Sequence, residues 1–213
     1  MPSRSSRAGS LIGAHLPDKK RAILSGALSV FGRDGYARAS IEAIADEAHV
    51  STRTIYNHFN DKATLFHTLI EESATQVAAA QIDIIDRYLR KVTDVRQDLI
   101  DFGIAWATPE PEHRAHFALV RHINADATHI PAVTIEAWQE AGPMRVRREL
   151  ASYIAQMDDA AMLRVADPDL AAVHLTVLVS AHNPSLPSQT RNADEIANLV
   201  TAGVDVFLHG YSR

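Results

Sequence analysis

From Ser51 to Asn60 the chain reads Ser-Thr-Arg-Thr-Ile-Tyr-Asn-His-Phe-Asn, a stretch without a single acid. Ser51, Thr52, Arg53, Thr54, Tyr56, Asn57 and His58 all carry hydrogen-bonding side chains, gathered around two apolar anchors, Ile55 and Phe59. Arg, Thr, Tyr, Asn and His can each donate to phosphate oxygens or base edges, and a surface that faces phosphate must be cleared of carboxylates. A helix that needs only solubility more commonly carries Glu and Lys. The plain alternative is an exposed helix of chance composition, and a motif by itself does not exclude it.

A second group is His113, His116, His122 and His129. His113 and His116 share a helix face, and His122 and Asp126 stand at i, i+4, a spacing that can chelate a metal ion. Glu112, Arg114 and Arg121 are interspersed with them, as on a mixed polar surface, so neither a metal nor any other cofactor is expected. There is no His-Glu-x-x-His, no paired Glu-x-x-His helices and no nucleophile–base set, so no catalytic residue is assigned. A helical metal-dependent enzyme built on these histidines is the rival reading from another class. With no cysteine in the chain, disulfides and thiolate metal sites are excluded, which fits a reducing compartment.

The elements that must position these groups are helices throughout. Residues 1–16 are rich in Ser, Gly and Arg and read as a flexible basic arm; Arg4 and Arg7 belong to a disordered tail or, alternatively, enter a minor groove. Leu24, Ala27, Leu28 and Phe31 mark one face of a first helix from about Pro17 to Arg33, ended by Gly35. Ser40 caps a short second helix striped by Ile41, Ile44, Ala45 and Ala48, and Ser51 caps a third. Asn60 or Asp61 caps a fourth, which continues through Leu65, Phe66 and Leu69 to about Arg90. Later helices are expected over roughly Asp94–Ala107, from the start Thr108-Pro109-Glu110-Pro111 to about Ala127, from Pro131, over Met144–Arg164 after the Gly142-Pro143 break, from Asp167-Pro168 to near His182, and over about Ala193–His209. No segment alternates as a half-buried strand does. The expected fold is all-α, with about nine to ten helices.

The net charge of −5 argues weakly against nucleic acid, but it divides unevenly: residues 1–62 carry +3 and residues 63–213 carry −8. A modestly basic head on an acidic body marks where a polyanion docks. The polar opening MPSRSSRAGS is not followed by an apolar run of signal-peptide length, and no stretch approaches the roughly 20 apolar residues of a membrane span. The expectation is a cytoplasmic protein with no membrane partner.

Two short capped helices across a tight turn, packed on a first helix, describe a helix-turn-helix unit. The runs Phe31-Gly-Arg-Asp-Gly-Tyr36, Ser40-Ile-Glu-Ala-Ile-Ala45, Val50-Ser-Thr-Arg-Thr-Ile-Tyr56 and His58-Phe-Asn-Asp-Lys62, followed by Leu65-Phe66, closely resemble the N-terminal domain of tetracycline-repressor-like (TetR-type) regulators. The resemblance covers about residues 17–66 without a gap. It implies that Ser40 meets a phosphate, that Thr52 and Arg53 face base edges, that Thr54, Tyr56 and His58 bond mainly to the backbone, and that Lys62 meets phosphate at the start of the fourth helix. Ile44, Ile55 and Phe59 are then structural. The sequence departs from the family at His49, a turn position usually filled by glycine; histidine tolerates positive φ at some strain.

By the same resemblance residues 17–62 form the DNA-binding domain, and residues 63–213 form a helical domain for effector binding and dimerisation. Ile196, Leu199, Val200, Val204 and Phe207 in the last helix, with Leu170, Val173, Val177 and Leu178 in the one before, are the apolar stripes expected to build a four-helix interface in a homodimer. Phe102, Trp106, His113, Phe117, Trp138, Tyr153 and Met157 are candidate walls of an effector pocket, each also readable as plain core. The functional expectation is a ligand-responsive regulator, by family default a repressor. It would bind a pseudo-palindromic operator in double-stranded DNA and be released by a small-molecule effector of unknown identity. A constitutive DNA-binding dimer without effector is the alternative.

Overall fold

The computed structural model describes residues 16–108, 111–125, 127, 130–180 and 191–211. The expected arm, the pair Asp126 and His129, and most of the loop before the last helix lie outside them. Among the described residues the regular structure is entirely helical: α1 (Leu16–Arg38), α2 (Ile41–Glu47), α3 (Thr52–His58), α4 (Lys62–Leu89), α5 (Val95–Ala107), a 3-10 turn (Pro111–His113), α6 (Arg114–Ala125), α7 (Ala132–Ala141), α8 (Pro143–Asp159), α9 (Pro168–Val179) and α10 (Ala193–Tyr211).

Two compact units divide the chain, one made of residues 1–70 and 115–135, the other of 71–114 and 136–213. This differs from the division at residue 62 expected from sequence. The first turns of α4 and nearly all of α6 belong with the helix-turn-helix. The physical reason is close packing: the Ala115 carbonyl comes so near Gly32 of α1 that a β-carbon there would stand 3.2 Å from it. His67 of α4 also lies within hydrogen-bonding distance of Thr134 at the start of α7, 3.3 Å.

In the N-terminal unit, α1 buries Ile23, Leu24, Ala27, Val30 and Phe31, while Leu28 of the expected stripe is only half-buried. Against this face lie Ile41, Ile44 and Ala45 of α2, Ile55 of α3, and Leu65, Phe66 and Leu69 of α4, all buried. Helix α1 does not stop at Gly35 but is broken there and runs one further turn to Arg38. Gly35 has φ 78 and ψ 169, a conformation that only glycine adopts without strain. Gly26 serves a different need: a β-carbon on it would stand 2.9 Å from Ala48, at the entrance to the turn between α2 and α3.

The C-terminal unit has one continuous apolar core. It joins Ile85 and Leu89 of α4, Leu99 and Phe102 of α5, Leu150, Ile154 and Met157 of α8, Leu175 and Val179 of α9, and Val200, Val204 and Phe207 of α10. Asp94 and Asp167 cap α5 and α9 by accepting the Gln97 and Leu170 amides. Helix α8 ends five residues earlier than its apolar pattern suggested. Ala161 takes a left-handed φ of 60, and the Met162 and Leu163 amides turn back to the Met157 carbonyl.

Candidate nucleic-acid interface

Each helix of the pair is started by a serine whose oxygen replaces a missing backbone acceptor. Ser40 Oγ accepts from the Ala43 amide and Ser51 Oγ from the Thr54 amide, both at 3.1 Å. A hydroxyl that accepts in this way keeps its own hydrogen to donate elsewhere. Ser40 retains that donor. Ser51 and Thr54 share theirs, because their oxygens are 2.9 Å apart and one hydroxyl donates to the other.

The turn between the helices closes with the His49 amide on the Asp46 carbonyl and the Val50 amide on the Ala45 carbonyl. His49 sits at φ 53, the left-handed value expected where the family uses glycine. Its side chain is exposed.

Helix α3 turns Ile55 fully inward, and Phe59 at its end is buried behind it. The outward face carries Arg53, Tyr56 and Asn57, all exposed, with Thr52, Thr54 and His58 half-buried at its edges. Tyr56 is 52% exposed, which for a large ring marks a surface without a partner inside the chain. The side chains of Arg53, Tyr56 and Asn57 form no hydrogen bond or ion pair with another described residue. By contrast Arg33, on α1, is held by Asp34 at 3.0 Å.

Lys62 stands apart from this set. Its Nζ donates to the carbonyls of Tyr36 at 2.8 Å, Ala39 at 3.0 Å and, more weakly, Ala37 at 3.5 Å. It also lies 4.7 Å from the centre of the Tyr36 ring. Burial pushes its pKa below the usual lysine value. The resemblance implied a phosphate-facing ammonium; here the ammonium is occupied by the end of α1. Sequence spacing carried no sign of this, because the carbonyls concerned lie more than twenty residues away. Asp61 rather than Asn60 caps α4, accepting the Thr64 amide at 2.7 Å.

Four of the candidate effector residues belong to the C-terminal core. Phe102 and Met157 are buried members of the C-terminal core, and Trp106 and Tyr153 pack against it. The Tyr153 hydroxyl donates to Asp86 at 2.6 Å, tying α8 to α4. His113 is half-buried in the 3-10 turn of that same unit, while Phe117, in the N-terminal unit, is 44% exposed. Trp138 is the exception with chemical content: its indole Nε1 is buried and has no hydrogen-bond partner among the described residues. Leaving such a donor unpaired costs about 1–3 kcal/mol. Of the histidines, His116 is buried and His122 half-buried. Among the described residues no group of three His, Asp or Glu is placed to hold a metal ion.

The expected interface stripes need correction in α10. Ile196, Val200, Val204 and Phe207 are all buried within the chain's own core, where they meet α5 and α9, so they are not available to a second copy. In α9 Leu178 is half-buried against that core and Val173 is half-buried, as is Leu199 in α10. What remains exposed is Leu170 at 48%, Val177 at 68% and, unremarked in the sequence, Val206 at 59%. Ala202 and Val206, one turn apart, were legible as a second, thinner stripe beside the main one.

Comparison with known proteins bears on both ends of the chain. Residues 23–69 match the model for bacterial regulatory proteins of the tetR family. Residues 111–213 match the C-terminal domain of AefR-like transcriptional repressors. The chain is 35% identical over 65 residues to the HTH-type transcriptional repressor Rv1474c of Mycobacterium tuberculosis, a match covering 30% of this chain and 35% of that protein. It is 33% identical over 93 residues to the HTH-type transcriptional activator FasR of Mycolicibacterium smegmatis, covering 43% and 41% respectively. The matched stretches therefore span less than half the length of either curated relative. A solved TetR-family transcriptional regulator from Mesorhizobium loti shares the fold along its length, with a TM-score of 0.74 at 25% identity, covering 92% of this chain and 98% of that one. With the capped helix pair, the left-handed turn and the all-helical C-terminal unit in place, this chain belongs to the tetR family of bacterial transcriptional regulators.

Proposed function

We propose that the protein is a dimeric, ligand-responsive repressor that reads a pseudo-palindromic operator with α3 and leaves it when a small molecule binds the C-terminal unit. The observation that carries the DNA-reading half is the outward face of α3: Arg53, Tyr56 and Asn57 exposed and unpaired, on an acid-free helix. In this reading Arg53 and Thr52 meet base edges, Arg53 favouring guanine O6 and N7. Ser40, Ser51, Thr54, Tyr56, Asn57 and His58 meet the sugar-phosphate backbone. A two-fold dimer presents two such helices about 34 Å apart, hence an inverted repeat. The exposed Leu170, Val177 and Val206 support the dimer. The buried, unpaired Trp138 Nε1 supports an effector that carries a hydrogen-bond acceptor. Function in the cytoplasm accords with this role, and no helix among the described residues is long and apolar enough to cross a membrane.

The test is the double variant R53A/Y56A, assayed by fluorescence anisotropy on duplexes selected by the wild-type protein from a random library. Sequence-specific binding should be lost while the oligomeric state, followed by light scattering, is unchanged. Specific binding retained by the double variant would overturn the assignment of α3.

A further inference from the structure

We infer that Lys62 is a positioning residue, a clasp that closes the base of the helix-turn-helix, and not a ligand of DNA phosphate. The inference deepens the operator-binding reading and rests on it. Helix α1 breaks at Gly35, so the carbonyls beyond the break lack the amides that a continuing helix would supply. Three of them, on Tyr36, Ala37 and Ala39, converge on one point, and Lys62 Nζ occupies it. An ammonium has three N–H donors and no acceptor, so three carbonyls use its capacity in full. The Tyr36 ring lies against the same nitrogen, 4.7 Å away. That ring packs on Phe66 of α4 at 4.7 Å, and Phe66 packs on Phe31 of α1 at 4.9 Å, so an aromatic trio backs the clasp.

The clasp's place in the chain gives it its consequence. Ala39 immediately precedes the cap of α2, and Lys62 opens α4 after the last residue of the pair. One side chain thus joins the two ends of the segment carrying Ser40, Ser51 and the outward face of α3. A phosphate could reach this ammonium only by displacing a carbonyl that would then lose its donor.

Lysine and arginine separate the two roles. A guanidinium is an excellent phosphate ligand, but its flat fork cannot aim three N–H groups at carbonyls that converge on a point. The experiment compares wild type, K62M and K62R on the selected duplex across a salt series, with folded fraction measured by circular dichroism and binding-competent fraction by stoichiometric titration with the duplex. Both variants should bind about tenfold more weakly or worse, the equivalent of one charge-assisted hydrogen bond. The log–log salt slope of K62M should stay at the wild-type value. Wild-type affinity in K62R, together with a K62M slope smaller by about 0.9, would make Lys62 a phosphate ligand and overturn the inference. So would wild-type affinity in both variants, or a loss fully explained by the unfolded fraction. Should the wild type select no duplex at all, the operator reading fails by itself. The clasp is then judged by hydrogen exchange, which should quicken over residues 40–61 in K62M and stay unchanged in α8–α10; unchanged exchange over 40–61 would refute it.

Discussion

Replacing Gly35 by alanine tests the backbone logic on which the DNA-reading unit depends. At φ 78 and ψ 169 the residue lies outside both the right-handed and the left-handed helical wells, in a region open to glycine alone. An L-residue forced to remain there carries about 1–3 kcal/mol of strain. Alanine also narrows the unfolded ensemble, which offsets roughly 0.4–1 kcal/mol of that cost. The net loss is about 1–2 kcal/mol, a factor of roughly 5–30 in the folded-to-unfolded ratio of the unit. Tryptophan fluorescence is blind to it, because Trp106 and Trp138 both lie in the C-terminal unit. Native-state hydrogen exchange is the suitable assay: amides of α1–α3 should exchange about 5–30-fold faster in G35A, and those of α8–α10 at the wild-type rate. G35N sharpens the test. Asparagine tolerates the left-handed helical well near ψ +47, but not ψ 169, so it should fare no better than alanine. Wild-type exchange in G35N would show that the position needs only a left-handed residue, and the argument from ψ would fall.

Three further outcomes are expected. H49G removes the strain of a non-glycine residue at φ 53 and should raise stability by about 0.5–1 kcal/mol in urea unfolding followed by hydrogen exchange; no gain would mean that the His49 side chain contributes something the strain argument omits. V177E/V206E places two carboxylates on the exposed apolar faces of α9 and α10 and should yield folded monomer in light scattering, whereas an intact dimer would remove those faces from the interface. Hydrogen bonds from Arg90 and Tyr153 hold the Asp86 carboxyl below its ordinary 3.8, so its contribution is complete above that pH and is lost as pH falls through the lower folded value. The stability gap between wild type and D86N, read from urea midpoints, should therefore narrow from pH 5 to pH 3; a constant gap would refute the pairing.

What was legible in the sequence was local chemistry. Ser40, Ser51, Asp94 and Asp167 are caps because a short polar side chain after non-helical backbone has one good use, and each accepts the amide three residues on. The left-handed backbone of His49 was legible through the resemblance, which places it where the family uses glycine. Features decided at a distance were not. Helix α8 stops at a left-handed alanine, where no glycine or asparagine announces a stop. Residues 115–135 join the N-terminal unit through packing on α1, which periodicity does not encode. The apolar stripe of α10 is covered by the chain's own core. An apolar face looks the same whether the surface that covers it is the chain's own core or a second copy, and in α10 the richer stripe is the internal one.

The different surroundings of Arg53 and Lys62 bear on how the proposed operator would be read. Within the helix-turn-helix match, the resemblance implies two cations at the interface, Arg53 and Lys62. With Lys62 bonded to carbonyls of its own chain, α3 offers one guanidinium amid hydroxyl, phenol, amide and imidazole groups. Charge is what binds any duplex alike, through released counterions, while directional hydrogen bonds separate one sequence from another. The sequence-reading part of the contact therefore rests on directional hydrogen bonds from α3, whose strength depends on geometry. That places a high demand on the exact placing of α3. The demand is met by the features that hold the helix pair at its ends: the two serine caps, the left-handed turn, the glycine break in α1, and the half-buried Lys62 ammonium bonded to the carbonyls before α2.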